Sequence, residues 1–384
     1  PSVDPIHGGF LEELSSGGEF TGREKFLTLQ ARQVWFFSRV AREGIRPHDS
    51  LEAAKSGFDF LVNHFHDSEH GGYFAKVEVN GQPVDRRKHV YPNAFVIYAF
   101  VEYYRATRDE SALGEAGKLF QVLEEHCYDT KYGGYREFFY DDWRLITDPS
   151  EAGYVGAINT KTYNSHLHLL EAFAQLFRET QDPLVGERLA ELIDINTLTV
   201  SSPNGPFNID GWNRDWTPVE TERNMRASYG HDVECAWLVI DAAEALGRSP
   251  ATLRNWAESI VAYSLEFGYD ERHGGFCYTG PGGKMSDDRK KVWWTQNEAM
   301  VAMLLLHQMT GRKRYREAFD GTMQFVFDHQ IETDGGWWNT LKEDGSASDN
   351  PSRTSMWQGG YHNGRSLIFC EKMLRDNSKS DRDN

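Results

Sequence analysis

A glycine-centred, aromatic-rich turn recurs six times along this chain of 384 residues, and that recurrence limits the fold more than any other feature. It reads HGGF from His7, HGGYF from His70, YGGYRE from Tyr132, NGPFNIDGW from Asn204, HGGFCY from His273 and DGGWW from Asp334. The first glycines stand at 8, 71, 133, 205, 274 and 335, so the intervals are 63, 62, 72, 69 and 61 residues. A near-constant period of this size is the signature of a repeat architecture. Paired glycines followed by aromatics suit a tight turn into a short extended segment. Asn80-Gly81, Gly282-Gly283 and Asp344-Gly345 supply the second turn of short hairpins.

Between the hairpins lie pairs of helical patterns. Asn93 to Thr107, Ser111 to Cys127, His166 to Glu179 and Asp232 to Leu246 place apolar residues at i, i+3, i+4 and i+7. Each repeat is therefore two helices and a hairpin. Six such pairs either stack as an open solenoid or close into a ring, and a ring needs no polar capping repeat. Neither end of the sequence offers one. The fold class predicted is all-α, an (α/α)6 barrel of six helix pairs with short β-hairpins at one end. Residues 1–374 are predicted to form one catalytic domain. Residues 375–384 (RDNSKSDRDN), with no apolar side chain to bury, are predicted to be a flexible tail. The two longest intervals flank the hairpin from Pro203 to Arg226, which is predicted to be a lid or specificity loop.

Composition excludes several partners. The 41 Lys and Arg against 58 Asp and Glu give a net charge of −17, which repels phosphate backbones and argues against nucleic acid. No run of 18 apolar residues and no basic-then-apolar leader pattern occurs, so no membrane association is expected and the protein is read as cytoplasmic. Cys127, Cys235, Cys277 and Cys370 form no CxxC pair and read as buried free thiols. No HExxH, GxGxxG or GxSxG is present. GPGGKMS from Gly280 lacks the first glycine of a phosphate-binding loop. No cofactor and no metal is expected, although a cluster of His168, His231, Glu234 and His362 is an alternative metal-ligand set.

After each hairpin the next helix opens with an aromatic or apolar residue and a polar one: Gln30, Asn93, Asn164, His231, Gln296 and His362 in turn. Six hydrogen-bonding side chains near helix N-termini suit a polyhydroxylated ligand. Histidine can both take and return a proton near neutral pH, so His231 and His362 are candidate acid/base groups. Glu234 stands three residues after His231 on the same helix face and can orient the imidazole or bind a hydroxyl. Arg32 and Arg365 can hold an anionic oxygen. Trp293, Trp294 and Trp357 can stack on sugar rings or fill the core. Asp232 or Glu234 with Glu298 would instead serve a glycosidase, and a silent sugar-binding module is a third reading.

These residues resemble the N-acylglucosamine 2-epimerase superfamily, and most closely its cellobiose 2-epimerase branch. The likeness is carried by LQAR at Leu29, RRKHVYPNAFVIYAFVEY from Arg86, NSHLHLLEAF at Asn164, YGHDVECAWL at Tyr229, WWTQNEA at Trp293 and WQGGYHNGR at Trp357. It implies a sugar 2-epimerase acting on a reducing-end glucose or mannose unit through a cis-enediolate, with His231 and His362 as the acid/base pair. An aldose–ketose isomerase and an N-acylglucosamine 2-epimerase are the neighbouring alternatives. Arg32, Asn164, His168 and Glu234 match positions that contact substrate or enediolate, and Trp294, Glu298 and Trp357 match positions that hold the sugar. The expected partner is a small sugar, with the protein a monomer or homodimer. Thr295-Gln296-Asn297-Glu298 and Gln358-Gly359-Gly360 depart from the branch's usual residues. The glycine pair removes side chains next to His362, which puts acceptance of a disaccharide in question and leaves a monosaccharide such as D-mannose or D-glucose open.

Overall fold

The chain turns helical where the aromatic or apolar run after each short strand begins. The computed structural model describes all residues except 1, 15–18, 152, 154, 350–351 and 381–384, and the side chains of 376–380. The first helix of each repeat is α1 (Leu27–Arg42), α3 (Val90–Thr107), α5 (Tyr163–Thr180), α7 (Tyr229–Ala245), α9 (Trp293–Thr310) and α11 (Gly360–Ser380). The second is α2 (Pro47–Phe60), α4 (Glu110–His126), α6 (Pro183–Asp194), α8 (Arg254–Gly268) or α10 (Lys313–Phe325). No second helix follows α11 among the described residues, so five pairs and one further first helix stand where six pairs were predicted. The α11 backbone is helical to Ser380, so residues 375–380 of the predicted flexible tail are helical, and residues 381–384 lie outside the described residues.

Burial separates the two kinds of helix. In α3 the whole run from Val90 to Tyr103 is buried, whereas α4 buries only Ala112, Ala116, Leu119, Phe120 and Leu123, one stripe at helical spacing. The second helices start on familiar signals. Asp109 caps α4 by accepting from Ser111 N, and Asp182 caps α6 by accepting from Leu184 N and Val185 N, with Pro183 in the first turn.

The chain divides into two compact units. Unit 1 comprises Pro1–Val200, Asp210–Val219 and Thr354–Tyr361; unit 2 comprises Ser201–Ile209, Glu220–Arg353 and His362–Asn384. In unit 1, α1 packs with α2, α3 with α4 and α5 with α6, while α3 also packs on α1 and α5. In unit 2, α7 packs with α8, α9 with α10, and α7 on α9.

Within each unit the strand leading into a first helix pairs antiparallel with the hairpin of the following repeat. In unit 1 these pairs are Glu24–Phe26 with Lys76–Glu78, Lys88–His89 with Phe138–Phe139, and Lys161–Thr162 with Gly211–Trp212. In unit 2 they are Arg226–Ser228 with Thr279–Pro281 and Lys291–Val292 with Thr340–Leu341. A buried lysine recurs two residues before the helix. Lys25, Lys88, Lys161 and Lys291 pair with Asp4, Asp67, Asp129 and Asp270, each four residues before the first glycine of a turn. Each ion pair is out of water and is further hydrogen-bonded, so loss of one partner would strand a buried charge.

The segment from Pro203 to Arg226, predicted to be a lid or specificity loop, is anchored within each unit. In unit 2, Asn208 N donates to Asp232 Oδ1 at 3.1 Å. In unit 1, Gly211–Trp212 is a paired strand and Trp216 Nε1 donates to Tyr132 O at 2.9 Å.

Candidate active site

Counting from the first residue of the helix, the fourth position of α1, α3, α5, α7 and α9 ties the helix to its hairpin. Gln30 accepts from Phe10 N and donates to Phe10 O, both at 2.8 Å, and Gln296 does the same with Phe276 at 2.7 Å. Asn93 accepts from Tyr73 N at 3.0 Å and donates to Tyr73 O and His89 O. In α5 and α7 the position is filled by His166, whose Nε2 accepts from Tyr135 N at 2.9 Å, and by Asp232. Burial holds the His166 imidazole down to about 3 and raises the Asp232 carboxyl well above its usual range, so both act as neutral clamps. Gln30, Asn93 and Gln296 are therefore committed to the backbone. The predicted ring of ligand-binding residues mixes this position with others. Asn164 is the second residue of α5, and His231 and His362 are the third of α7 and α11.

In unit 2, His231, Glu234 and His362, three of the four residues predicted to be catalytic, lie in one cluster with Trp294, Glu298 and Arg365. The Trp294 indole lies beside both imidazoles, its centroid 4.6 Å from that of His231 and 5.9 Å from that of His362. His362 Nδ1 donates to Glu298 Oε1 at 2.5 Å, and His231 Nδ1 meets Ser228 Oγ at 2.9 Å. Arg365 Nη2 donates to Glu234 Oε1 at 2.7 Å and to Glu298 Oε1 at 2.8 Å, while Trp237 Nε1 donates to Glu298 Oε2 at 3.0 Å. Trp293 packs its edge against His362 at 6.2 Å. Glu234, Glu298 and His362 are close enough to hold a metal ion. The Arg365 guanidinium, however, already bridges the two carboxylates, so the cluster has its own fixed cation, buried and paired.

In unit 1, Arg32 donates from Nη1 to Trp357 O at 3.0 Å and from Nη2 to Tyr91 Oη at 2.8 Å. Its guanidinium lies over the Phe95 ring at 4.3 Å and the Tyr361 ring at 4.8 Å, and Nε has no hydrogen-bond partner. His168 Nδ1 donates to Glu171 Oε2 at 2.9 Å, and Glu171 accepts from Tyr361 Oη at 2.6 Å. Asn164 N donates to Asp210 Oδ1 at 3.0 Å, while the Asn164 Oδ1 is buried without a hydrogen-bond partner.

Gly359 and Gly360 do not open space beside His362. In unit 1, a Cβ at Gly359 would lie 2.7 Å from Gln33 Oε1 and 2.8 Å from Leu29 Cδ1, and one at Gly360 would strike the Phe36 ring. Gly360 N donates to Gln33 Oε1 at 2.8 Å. The pair lets the start of α11 approach α1, and it carries no argument for a monosaccharide. Sequence reasoning missed Trp237, Glu171, Tyr91 and Tyr361. Trp237 and Glu171 were findable, each standing three residues after a candidate, Glu234 or His168.

A family model described as N-acylglucosamine 2-epimerase matches residues 8–363. The cellobiose 2-epimerase of Bacteroides fragilis is 30% identical over 95% of this chain and 92% of its own. That of Ruminococcus albus is 31% identical over 94% and 91%. The solved structure of cellobiose 2-epimerase from Spirochaeta thermophila superposes with a TM-score of 0.87 at 31% identity, covering 98% of this chain and 92% of that one. The predicted fold class, an all-α α/α barrel, is the one shared with that structure.

Proposed function

The chain belongs to the N-acylglucosamine 2-epimerase family, and on that premise we propose that it inverts carbon 2 of the glucose or mannose unit at the reducing end of a small sugar, a disaccharide such as cellobiose foremost. The observation that carries this reading is the pair of imidazoles flanking one indole, each anchored through Nδ1. Two proton carriers beside one stacking surface suit a reaction that removes a proton from one face of a carbon and returns one to the other.

Once the sugar ring has opened, the C1 carbonyl makes the C2 proton removable. His362, its Nδ1–H held by the Glu298 carboxylate, takes that proton, leaving a cis-enediolate. Rotation about C2–C3 presents the opposite face, where His231 delivers a proton to C2 and ring closure gives the epimer. Arg365 bridges Glu234 and Glu298, so the carboxylate that holds His362 is itself held in place. Trp294 and Trp293 supply the apolar face against which a pyranose stacks. For Arg32, Asn164, His168 and Trp357 in unit 1, sugar-binding roles are supported by the correspondence of their motifs and by the unpartnered Arg32 Nε and Asn164 Oδ1.

Residues 1–374 act, in this reading, as a single catalytic domain. The chain passes repeatedly from one unit to the other, and the family match runs from residue 8 to 363. No helix among the described residues is long and apolar enough to cross a membrane. Four buried, free cysteines suit the reducing cytoplasm, and a monomer or homodimer is proposed. Incubation with cellobiose should yield the disaccharide with mannose at its reducing end, read by chromatography. Release of free glucose would mean a glycosidase, and a ketose product would mean proton transfer from C2 to C1 by one base.

A further inference from the structure

We infer that Trp237 is a positioning residue: its indole N–H and its ring face together hold Glu298 and Arg365 so that one carboxylate oxygen, Oε1, serves His362. The inference rests on the proposed role of His362 as an acid/base group. Glu298 is fully buried on α9, and the last torsion of a glutamate is soft, so burial alone does not select which oxygen faces the imidazole. Oε1 takes two donors, His362 Nδ1 at 2.5 Å and Arg365 Nη2 at 2.8 Å. Oε2 takes a third, Trp237 Nε1 at 3.0 Å. An indole nitrogen can only donate, so this contact draws Oε2 towards α7 and keeps Oε1 turned to His362.

The indole is held in turn. It is buried, Phe369 packs against it edge-on at 5.7 Å between centroids, and the Arg365 guanidinium lies over its ring at 4.7 Å. One side chain therefore meets both members of the Arg365–Glu298 ion pair. The cation sits on the electron-rich face and the anion at the N–H edge, as the charge distribution of an indole favours. Helix spacing brings this about. Trp237 stands three residues after Glu234 on α7, so Arg365 reaches a carboxylate and a ring face on one side of the same helix. Phenylalanine would fill much of the same volume and keep a face for Arg365, but it would leave a buried carboxylate oxygen without its donor.

The test compares Trp237→Phe in the wild type with the same change in a Glu298→Gln background. Trp237→Phe should lower kcat with cellobiose by about 10-fold with a smaller change in KM, the scale on which loss of an orienting partner acts elsewhere. In Glu298→Gln it should lower kcat no further. A tryptophan that only fills space would cost the same factor in both backgrounds, so reductions that multiply would overturn the inference. The proton NMR signal of His362 Nδ1–H, assigned from its loss in His362→Asn, should move or broaden in Trp237→Phe; an unchanged signal would also overturn the inference. If Trp237→Phe does not fold, replacement of Trp237 by benzothienylalanine, which exchanges only the N–H for sulfur, is decided by the same two readings. Absence of any sugar conversion by the wild type would overturn the functional reading instead, leaving the His362 signal to decide the role of Trp237.

Discussion

His362 and His231 carry different partners on Nδ1, and that difference sets unequal penalties for losing them. Replacing either imidazole, as His362→Asn or His231→Asn, should lower kcat by about 10² to 10⁴-fold, the usual worth of a general acid/base group, measured by steady-state conversion. Glu298→Gln leaves the His362 ring without its carboxylate and the Arg365 guanidinium with one charged partner fewer, so kcat should fall by about 10-fold or more. Ser228→Ala removes only a neutral hydroxyl from His231 and should cost less than Glu298→Gln in the same assay. An equal loss would show that the carboxylate has no special role. The histidines were legible in the sequence because they recur in register with the repeats. Glu298 was legible chiefly by resemblance, since its burial against Trp237, Arg365 and His362 is set by three separate stretches of chain.

Helix register explains which polar residues the sequence could not sort. Clamping a hairpin and binding a hydroxyl both call for an amide or an imidazole, and the two positions lie only one or two residues apart, so Asn93 and Asn164 look alike on the page. The helix start decides between them: the fourth residue of α1, α3, α5, α7 and α9 reaches back to the hairpin backbone. Asn93→Ala should therefore destabilise the fold by about 1 to 3 kcal/mol, by leaving Tyr73 N without its acceptor, and leave kcat/KM of the folded protein unchanged. Denaturant unfolding together with initial rates checks this. A large fall in kcat/KM without loss of stability would restore Asn93 as a sugar ligand. The first helices themselves were predicted three residues short at the start in α3, α5 and α7, because the apolar periodicity sets in only after their first turn.

At the scale of the molecule, burial of titratable groups gives stability a definite pH dependence. Burial pushes the Glu12 and Glu137 carboxyls up to about 8 from an ordinary 4.5. Between those values the native state binds more protons than the unfolded one, so stability falls as pH rises through that window. Burial holds the His89 and His166 imidazoles down to about 3, from an ordinary 6.5. There the unfolded state binds more protons, and stability falls as pH drops. The melting temperature should be highest at about pH 5 to 6 and decline on both sides, and Glu137→Gln should flatten the alkaline limb. Six glycine turns made the repeat architecture readable, whereas the anchoring of the Pro203 to Arg226 segment was not, since it depends on contacts distant in sequence. The central claim, proton exchange at carbon 2 by two imidazoles, is tested most directly by incubating the wild-type protein with cellobiose, D-mannose, D-glucose and N-acetylmannosamine separately in deuterated water, with and without a chelator, and following C2 by proton NMR. The account predicts deuterium at C2 of at least one sugar together with its C2 epimer, unaffected by the chelator; retention of every C2 proton would contradict it.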